Sequence, residues 1–500
     1  MKLNNIVDLF YKQASERPNQ PAIIHGSDVV SFGELKVLVH QTAQDFESRG
    51  ISSGDRVLVF VPMSIDLYRI CMALFHIGAT AVFLDPWVNR ERLGVCCDLA
   101  ECKGFVGVRK ARIYRLFLKP LRQIPIHLPL KVSSNSVKPD LSPLKVGGNH
   151  PALITFTTGS TGIPKAAERS HGFLYHQFQA LHELMRPDPK DVDMPLLPIV
   201  LFCNLGEGCT SVIPTGKLIK PNAIDPKELW TAVSKHGVSR ITASPFPLLK
   251  LAEYVLENDF NSGSLIRLFT GGGPVFPNEA RYILNSFPKI KGTVVYGSTE
   301  AEPISEIDMS LLAESELTAG LPVGEVYHKT NLQIVRVDKD QVTEMNTGEI
   351  GEIVVSGAHV LDGYFRNPEA EKGVKLNIDG QKWHRTGDAG FVDAEGNLYL
   401  VGRVKQLISR NGGLLSPFLY EHAFQSYDGV VCGTLLEIDE KVIAIVESER
   451  GADQVLLRET MITTGLPVDD IIFIKSIPRD PRHHTKIDYD ALKEDNEVRG

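Results

Sequence analysis

Apolar positions along this chain switch repeatedly between helical spacing and short unbroken runs. Ile6, Leu9, Phe10 and Ala14 have helical spacing behind Asn5, which is placed to cap them. Ser31-Phe32-Gly33-Glu34 reads as a capping box for a helix carrying Leu35, Leu38, Val39, Thr42, Ala43 and Phe46, with Gly50 placed to end it. Val57 to Val61 then has the length and composition of a buried strand. The longest apolar run, Ile70 to Leu84, is interrupted by His76 and Gly78 and is too short to cross a bilayer. It predicts a helix end, a turn at Gly78 and a buried strand ending at Asp85-Pro86. The alternation returns at Ile241 to Pro245 and at Val294 to Gly297. Helix and strand in alternation predict an α/β fold of stacked layers with mostly parallel sheets.

From about residue 331 the texture changes. Leu332 to Val337, Gly351 to Val355 and Phe391 to Val401 read as short strands, with tight turns at Thr347-Gly348 and Glu395-Gly396. Beyond Gly402 lie two more strands, Val442 to Val446 and Ile471 to Ile474, and a helix from Ser416 through Phe424. A boundary at 402–405 divides the chain into 1–402 and 403–500. There is no low-complexity linker and no internal repeat.

Composition narrows the class. With 43% hydrophobic and 23% charged residues the chain has ordinary globular make-up, which excludes disordered, collagenous and coiled-coil classes. A net charge of −8 lacks the basic footprint of a general nucleic-acid binder, so no nucleic-acid partner is expected. Seven cysteines, an odd number with no C-x-x-C pair, read as buried reduced thiols, and Cys96, Cys97 and Cys102 have no nearby histidine to make a zinc pattern. The first residues show no signal-peptide core. The expectation is a soluble, cytoplasmic protein without a membrane span.

The densest chemical signal is Thr157-Thr158-Gly159-Ser160-Thr161-Gly162-Ile163-Pro164-Lys165, behind the apolar strand Ala152 to Phe156 and ahead of a helix that Ser170 would cap. Hydroxyls, glycines and a lysine suit phosphate, because glycine lets backbone N–H groups approach the oxygens and hydroxyls donate further bonds. It is not a Walker A loop, since Pro164 stands where the second glycine is required. Alone, it also reads as a polar strand–helix turn. Gly271-Gly272-Gly273-Pro274 follows a strand and is weak by itself. Tyr296-Gly297-Ser298-Thr299-Glu300 lies at the carboxyl end of a strand, where open sheets bind ligands. A threonine and a glutamate there suit a phosphate oxygen and Mg2+, although the same residues read as a capped helix start. Asp388 in Arg385-Thr386-Gly387-Asp388, followed by Gly402-Arg403, is an acceptor suited to a ribose diol, or simply a turn. Pro478 to Lys486 is basic and broken by prolines: a solvated tail, or a mobile loop carrying Lys486 to an anionic centre.

These five segments, in this order and at these separations, resemble the adenylate-forming superfamily of acyl- and aryl-CoA synthetases, amino-acid adenylation domains and firefly-type luciferases. The likeness runs from Ser31 through Lys486. It implies a large N-terminal domain of stacked α/β sheets with a distorted β-barrel, and a small mobile α+β C-terminal lid hinged near Lys405. It also implies ATP and Mg2+. Thr157, Thr158, Gly159, Ser160, Thr161, Gly162 and Lys165 would form the phosphate loop. Gly271, Gly272, Gly273 and Pro274 would line the adenine pocket. Tyr296, followed by Gly297 and Ser298, would stack on adenine. Thr299 would contact phosphate, and Glu300 would hold the metal. Asp388, assisted by Arg403, would bind the ribose, and Lys486 would support adenylation. A carboxylate attacking the α-phosphorus of ATP sets anion on anion, so Mg2+ and Lys486 are where the compensating charge belongs.

Within that superfamily, amino-acid adenylation domains carry a Phe-Asp pattern that holds the substrate ammonium. Here the segment reads Leu201-Phe202-Cys203-Asn204, and a thiol cannot pair an ammonium. Leu197 to Pro214 and the Phe246-Leu248-Leu249 region are apolar enough to suit an aliphatic chain, or to be core. Gly104 to Ala111, Gly206 to Pro214 and Arg482 to Ile487 look like the β-lactone synthetases of long-chain olefin biosynthesis. That likeness implies adenylation of a 3-hydroxy acid whose own hydroxyl closes the ring and expels AMP without CoA. Thr485 stands where glycine usually precedes the catalytic lysine, a departure that branch shares. Asn411-Gly412-Gly413 keeps glycines near the loop facing the thiol tunnel in CoA ligases, so CoA use stays open. The expected function is activation of a fatty or 3-hydroxy fatty acid, followed by lactone closure or transfer to CoA. Loading of a carrier-protein thiol, and an inactive nucleotide- or acyl-binding homologue, are the alternatives.

Overall fold

A computed structural model describes residues 4–84, 90–131, 142–158, 164–216, 224–260, 263–317, 319–338, 341–410, 412–480, 486–495 and 498. The local predictions near the N-terminus hold because they rest on neighbours in sequence. Ser31 caps Phe32–Ser48 through a full capping box with Glu34. The first helix is Val7–Glu16, and the Asn5 side chain accepts from the Val7 N–H at 3.1 Å. Ile65–His76, a turn at Gly78 and the strand Thr80–Phe83 follow as the apolar run predicts. Asp85-Pro86 lies outside the described residues.

A six-stranded sheet runs in the order Ile126–Leu128, Gly104–Gly107, Arg56–Phe60, Thr80–Phe83, Pro151–Thr158, Pro164–Ser170. Its pairings are parallel up to the last, which is antiparallel. A larger sheet has two halves. Pro21–His25, Thr210–Ile213, Val192–Pro195, Arg240–Ala243, Arg267–Gly271 and Lys291–Ser298 pair in parallel. From Ala301–Asp308 the chain turns back on itself. Leu321–Val326, Asn397–Arg403, Gln381–Val392, Gly351–Ser356 and Asn331–Asp338 then continue the sheet antiparallel. This half occupies the place of the expected distorted barrel, and its texture is the one that changes the sequence pattern near 331.

Two large cores flank these sheets. Phe10, Phe32, Leu35, Phe46, Tyr68 and Leu74 fill the first. Leu229, Val233, Ile241, Leu248, Leu268 and Phe287 fill the second. Leu248 therefore belongs to the core and not to an acyl pocket, which settles half of that sequence ambiguity toward packing. All seven cysteines are buried and free.

Past the strand Asn397–Arg403 the chain builds cores of its own. Val430–Ile438, Lys441–Ser448 and Asp470–Ile474 form a three-stranded sheet. Two apolar clusters around Phe424, Leu435, Ile445 and Leu492 draw only on residues from Ile408 to Val498. The helix Pro417–Phe424 rests against the body: Ser416 Oγ donates to the Val401 carbonyl, and the Phe276 ring meets Phe418 and His422 with centroids 5.3 and 5.2 Å away. Among the described residues no helix is long and apolar enough to cross a membrane.

Candidate active site

The two sheets meet at a hairpin and a tight turn. Thr157 lies opposite Lys165 and Thr158 opposite Pro164, so the strands Pro151–Thr158 and Pro164–Ser170 pair antiparallel. The strand–helix turn reading is thereby corrected. The strand Pro164–Ser170 intervenes before the helix His171–Met185, which Ser170 does cap, accepting from the Phe173 N–H at 3.1 Å. Gly159, Ser160, Thr161 and Gly162 lie outside the described residues. Thr299 and Glu300 form the turn between Lys291–Ser298 and Ala301–Asp308, which are antiparallel, so the helix-start reading also fails. Ser298 Oγ accepts from the Glu300 N–H at 3.2 Å and tightens that turn.

Two devices tie these pieces together across the sheets. Val360 bridges to Ala301 and Tyr364 to Ala167. The Leu361 and Phe365 N–H groups donate to the carbonyls of Glu300 at 2.7 Å and Ala166 at 2.8 Å. The Arg169 guanidinium donates to Thr155 Oγ1 and to the Thr299 carbonyl, both at 3.0 Å. Lys165 and Glu300, on opposite sheets, are thus held at one cleft. Tyr364 serves both: its hydroxyl donates to Glu300 Oε1 at 2.9 Å, and its ring lies under the Lys165 ammonium at 5.4 Å.

The electrostatics follow from that packing. Burial pushes the Glu300 carboxyl up, but His384, the Tyr364 hydroxyl, a backbone N–H and Arg169 outweigh it and hold the group below the ordinary carboxylate range. Burial keeps His384 neutral down to about pH 4, so near neutrality Tyr364, the backbone and Arg169 do the holding. Burial lowers the Lys165 ammonium, Glu300 opposes that, and Lys405 lowers it further. Lys375, pushed down to about 8 by burial, donates to the Leu361 carbonyl beside them.

A second group gathers on the antiparallel half. Asp388 and Arg403 face each other on paired strands, with Arg403 Nη1 3.1 Å from Asp388 Oδ1. The Tyr296 hydroxyl donates to Asp388 Oδ2 at 2.8 Å. Burial and the Asp388 charge push that phenol well up, so it stays a donor. Gly387 has φ +72°, which few other residues adopt, and this lets the Asp388 N–H reach Thr386 Oγ1 at 3.0 Å. A Cβ on Gly271 would stand 2.6 Å from the Val295 carbonyl, so the strand feeding the Gly272-Gly273-Pro274 turn passes too close to its neighbour for any side chain.

These residues fit Mg2+ and ATP. A carboxylate accepts up to about four hydrogen bonds, which leaves Asp388 capacity for a ribose diol. Glu300 is a carboxylate held charged, as a hard cation requires. Among the described residues no cluster of three or more His, Cys, Asp or Glu groups could cage a metal. A Mg2+ shared between one carboxylate and nucleotide phosphates needs no such cage.

An apolar pocket is walled by Phe10, Phe75, Phe178, Ile199, Phe202 and Cys203. Gln177, 2% exposed, contributes the amide in this wall. Its Nε2 donates to Glu302 Oε2 at 3.4 Å, and its Oε1 has no partner among the described residues. In the Leu201-Phe202-Cys203-Asn204 segment, Phe202 and Cys203 face this pocket. Asn204 instead donates to Asp193 at 2.7 Å and accepts from the buried Arg240 at 2.6 Å.

Lys486 is fixed through its backbone, its N–H donating to Asp480 Oδ1 at 2.9 Å and its carbonyl accepting from the Asp480 N–H at 2.8 Å. The groups acting most strongly on Lys165 and Glu300 include Lys405 and not Lys486. Sequence reasoning missed Tyr364, Arg169, Lys375, His384 and Gln177. His384 adjoins the Arg385–Asp388 motif and was in view; the others carry no local signal.

A hairpin lysine near a charged glutamate, and a tyrosine–aspartate–arginine group on the antiparallel strands, are chemistry suited to a nucleotide and its metal ion. Residues 10–365 match the family described as AMP-binding enzyme, and the chain belongs to it: it is an acid-activating, adenylate-forming ligase. It is 28% identical to the olefin β-lactone synthetase of Stenotrophomonas maltophilia over 98% of this chain and 97% of that protein. It is 30% identical to the olefin β-lactone synthetase of Xanthomonas campestris over 86% of this chain and 83% of that one. The fold is shared with o-succinylbenzoate CoA synthetase from Bacillus subtilis in complex with ATP and magnesium ion, with a TM-score of 0.81 at 19% identity, covering 97% of this chain and 99% of that one.

Proposed function

We propose that this ligase activates a fatty acid bearing a 3-hydroxyl group and closes it to a β-lactone. The observation that carries the reading is the apolar pocket with a buried, unpartnered amide oxygen in its wall. Apolar walls suit an alkyl chain, and an orphaned acceptor suits a hydroxyl donor. The likeness to two olefin β-lactone synthetases supports it.

In the first step a carboxylate oxygen bonds to the α-phosphorus, and the bond to pyrophosphate breaks with its electron pair. Thr157 to Lys165 would cradle the phosphates, with Thr299 beside them. Glu300 would hold Mg2+, which supplies positive charge to the phosphate oxygens. Tyr296 and the Gly271 to Pro274 turn would hold adenine, and Asp388 with Arg403 the ribose. In the second step the 3-hydroxyl oxygen attacks the acyl carbon, its proton passes to solvent, and AMP leaves with the bonding pair. We assign 403–500 as a lid hinged near Lys405 that brings Lys486 to the first step. The separate cores past Ile408 support that division. Transfer to CoA is the second reading, favoured by the turn at Gly412-Gly413.

The test incubates the protein with ATP, Mg2+ and a panel of acids, including 3-hydroxy and 2-alkyl-3-hydroxy fatty acids, with and without CoA. AMP release that requires the 3-hydroxyl and ignores CoA is the expected result. Strict CoA dependence would sink lactone closure. In the same assay Lys486→Ala should lose pyrophosphate exchange while its melting stays that of the wild type.

A further inference from the structure

The helix Arg109–Phe117 and the short helix Lys119–Gln123 behind it carry Arg109, Lys110, Arg112, Arg115, Lys119 and Arg122 and no acidic residue, in a chain of net charge −8. Ile113, Tyr114 and Phe117 are 50%, 58% and 70% exposed. Spacings of three and four put Ile113 and Tyr114 one turn before Phe117 on the same face, with Lys110 one turn earlier still. The opposite side is anchored. Ala111 is buried in a cluster with Phe105, Leu121 and Ile124, and Arg112 donates to the Leu128 carbonyl at 3.1 Å. The platform is therefore fixed to the six-stranded sheet and turns its aromatic face outward.

Single exposed apolar residues need no explanation, but three on one helical face among six cations without an anion do. We infer that this helix docks the enzyme on an anionic lipid surface. The rings and the isoleucine would enter the boundary between headgroups and acyl chains, and the cations would meet lipid phosphates. A nucleic acid would use the charges but offers no apolar layer for Ile113. A stable protein partner needs about 800 Å2 on each side, more than three side chains supply. Docking does not depend on which acid is activated. If the fatty-acid reading holds, docking also brings the pocket to the phase in which such acids dissolve.

The experiment is co-sedimentation of the full chain with vesicles of phosphatidylcholine alone and of phosphatidylcholine mixed with phosphatidylglycerol, at low and high salt. The protein should pellet with the anionic vesicles and be released by salt. Arg109→Glu with Lys110→Glu should weaken partitioning at least roughly 30-fold, about 1 kcal/mol for each lost cation. Tyr114→Ser with Phe117→Ser should weaken it at least roughly tenfold, through lost apolar burial. Both double variants should keep the wild-type circular dichroism and melting. A wild-type protein that stays in the supernatant with both vesicle types, or well-folded double variants that bind like the wild type, would overturn the inference.

Discussion

At the scale of single residues, Tyr364 organises the candidate site. Its hydroxyl meets Glu300 and its ring meets Lys165, so one side chain sets the charge of one and the surroundings of the other. A hydrogen bond to a charged group contributes roughly 1.5–3 kcal/mol. Tyr364→Phe keeps the ring and removes the donor, so the Glu300 carboxyl should rise. The Tyr364 bond acts to lower that group, which is then ionised from a lower pH; without it, ionisation needs a higher pH. ATP–pyrophosphate exchange should fall roughly 10- to 100-fold, and the acid limb of its pH profile should move upward. An acid limb that stays in place would show that Glu300 does not depend on Tyr364.

At the scale of elements, a buried ion network clamps the parallel half of the large sheet. Arg240, fully buried, reaches Asp193 Oδ2 at 3.3 Å on the neighbouring strand and Asn204 Oδ1 at 2.6 Å on the helix Pro198–Glu207. Asp193→Ala leaves that guanidinium short of its countercharge, which costs about 3–5 kcal/mol in buried pairs. Urea unfolding should show it, and a loss below about 1 kcal/mol would mean that the network is dispensable. Elements of this kind mark where the sequence stops being readable. The capping box at Ser31 and the turns at Gly348 and Gly396 were legible because their causes lie within four residues. The strand Pro164–Ser170 was not: Pro-Lys-Ala-Ala-Glu-Arg-Ser has no strand alternation, and its pairing comes from Pro151–Thr158 and from Tyr364. The turn at Thr299-Glu300 was misread for the same reason, since Ala301–Asp308 is a strand through its partners on either side. Motif residues were legible one at a time. What joins them, Arg169 and the 360–365 segment, acts across long stretches of chain: 130 residues from Arg169 to Thr299 and 64 from Tyr364 to Glu300.

At the scale of the whole molecule, the contact between the body and the last hundred residues is poised to respond to pH. Glu279, at the start of the helix Pro277–Ser286, accepts from the Phe276 N–H at 2.8 Å. Glu421, on Pro417–Phe424, accepts from the Tyr489 hydroxyl at 2.6 Å. Burial pushes both carboxyls up to about 7, against the pull of their hydrogen bonds and of Arg479, which faces both. His422 and Arg281 also lie at this contact, and burial and Arg281 lower the histidine. In the unfolded chain a glutamate titrates near 4.3, so between roughly pH 4 and 7 the folded state holds more protons than the unfolded one. The stability these groups contribute is therefore full below the ordinary carboxylate range and is lost as pH rises through about 7. Glu279→Gln and Glu421→Gln keep an acceptor and remove the ionisation. Each should gain about 1–2 kcal/mol over the wild type near pH 8, a value reduced by the solvent both groups still see, and should match it near pH 4.5. Denaturant midpoints at the two pH values decide it. Variants indistinguishable from the wild type at the higher pH would mean that neither carboxyl is held neutral where the two parts of the chain meet.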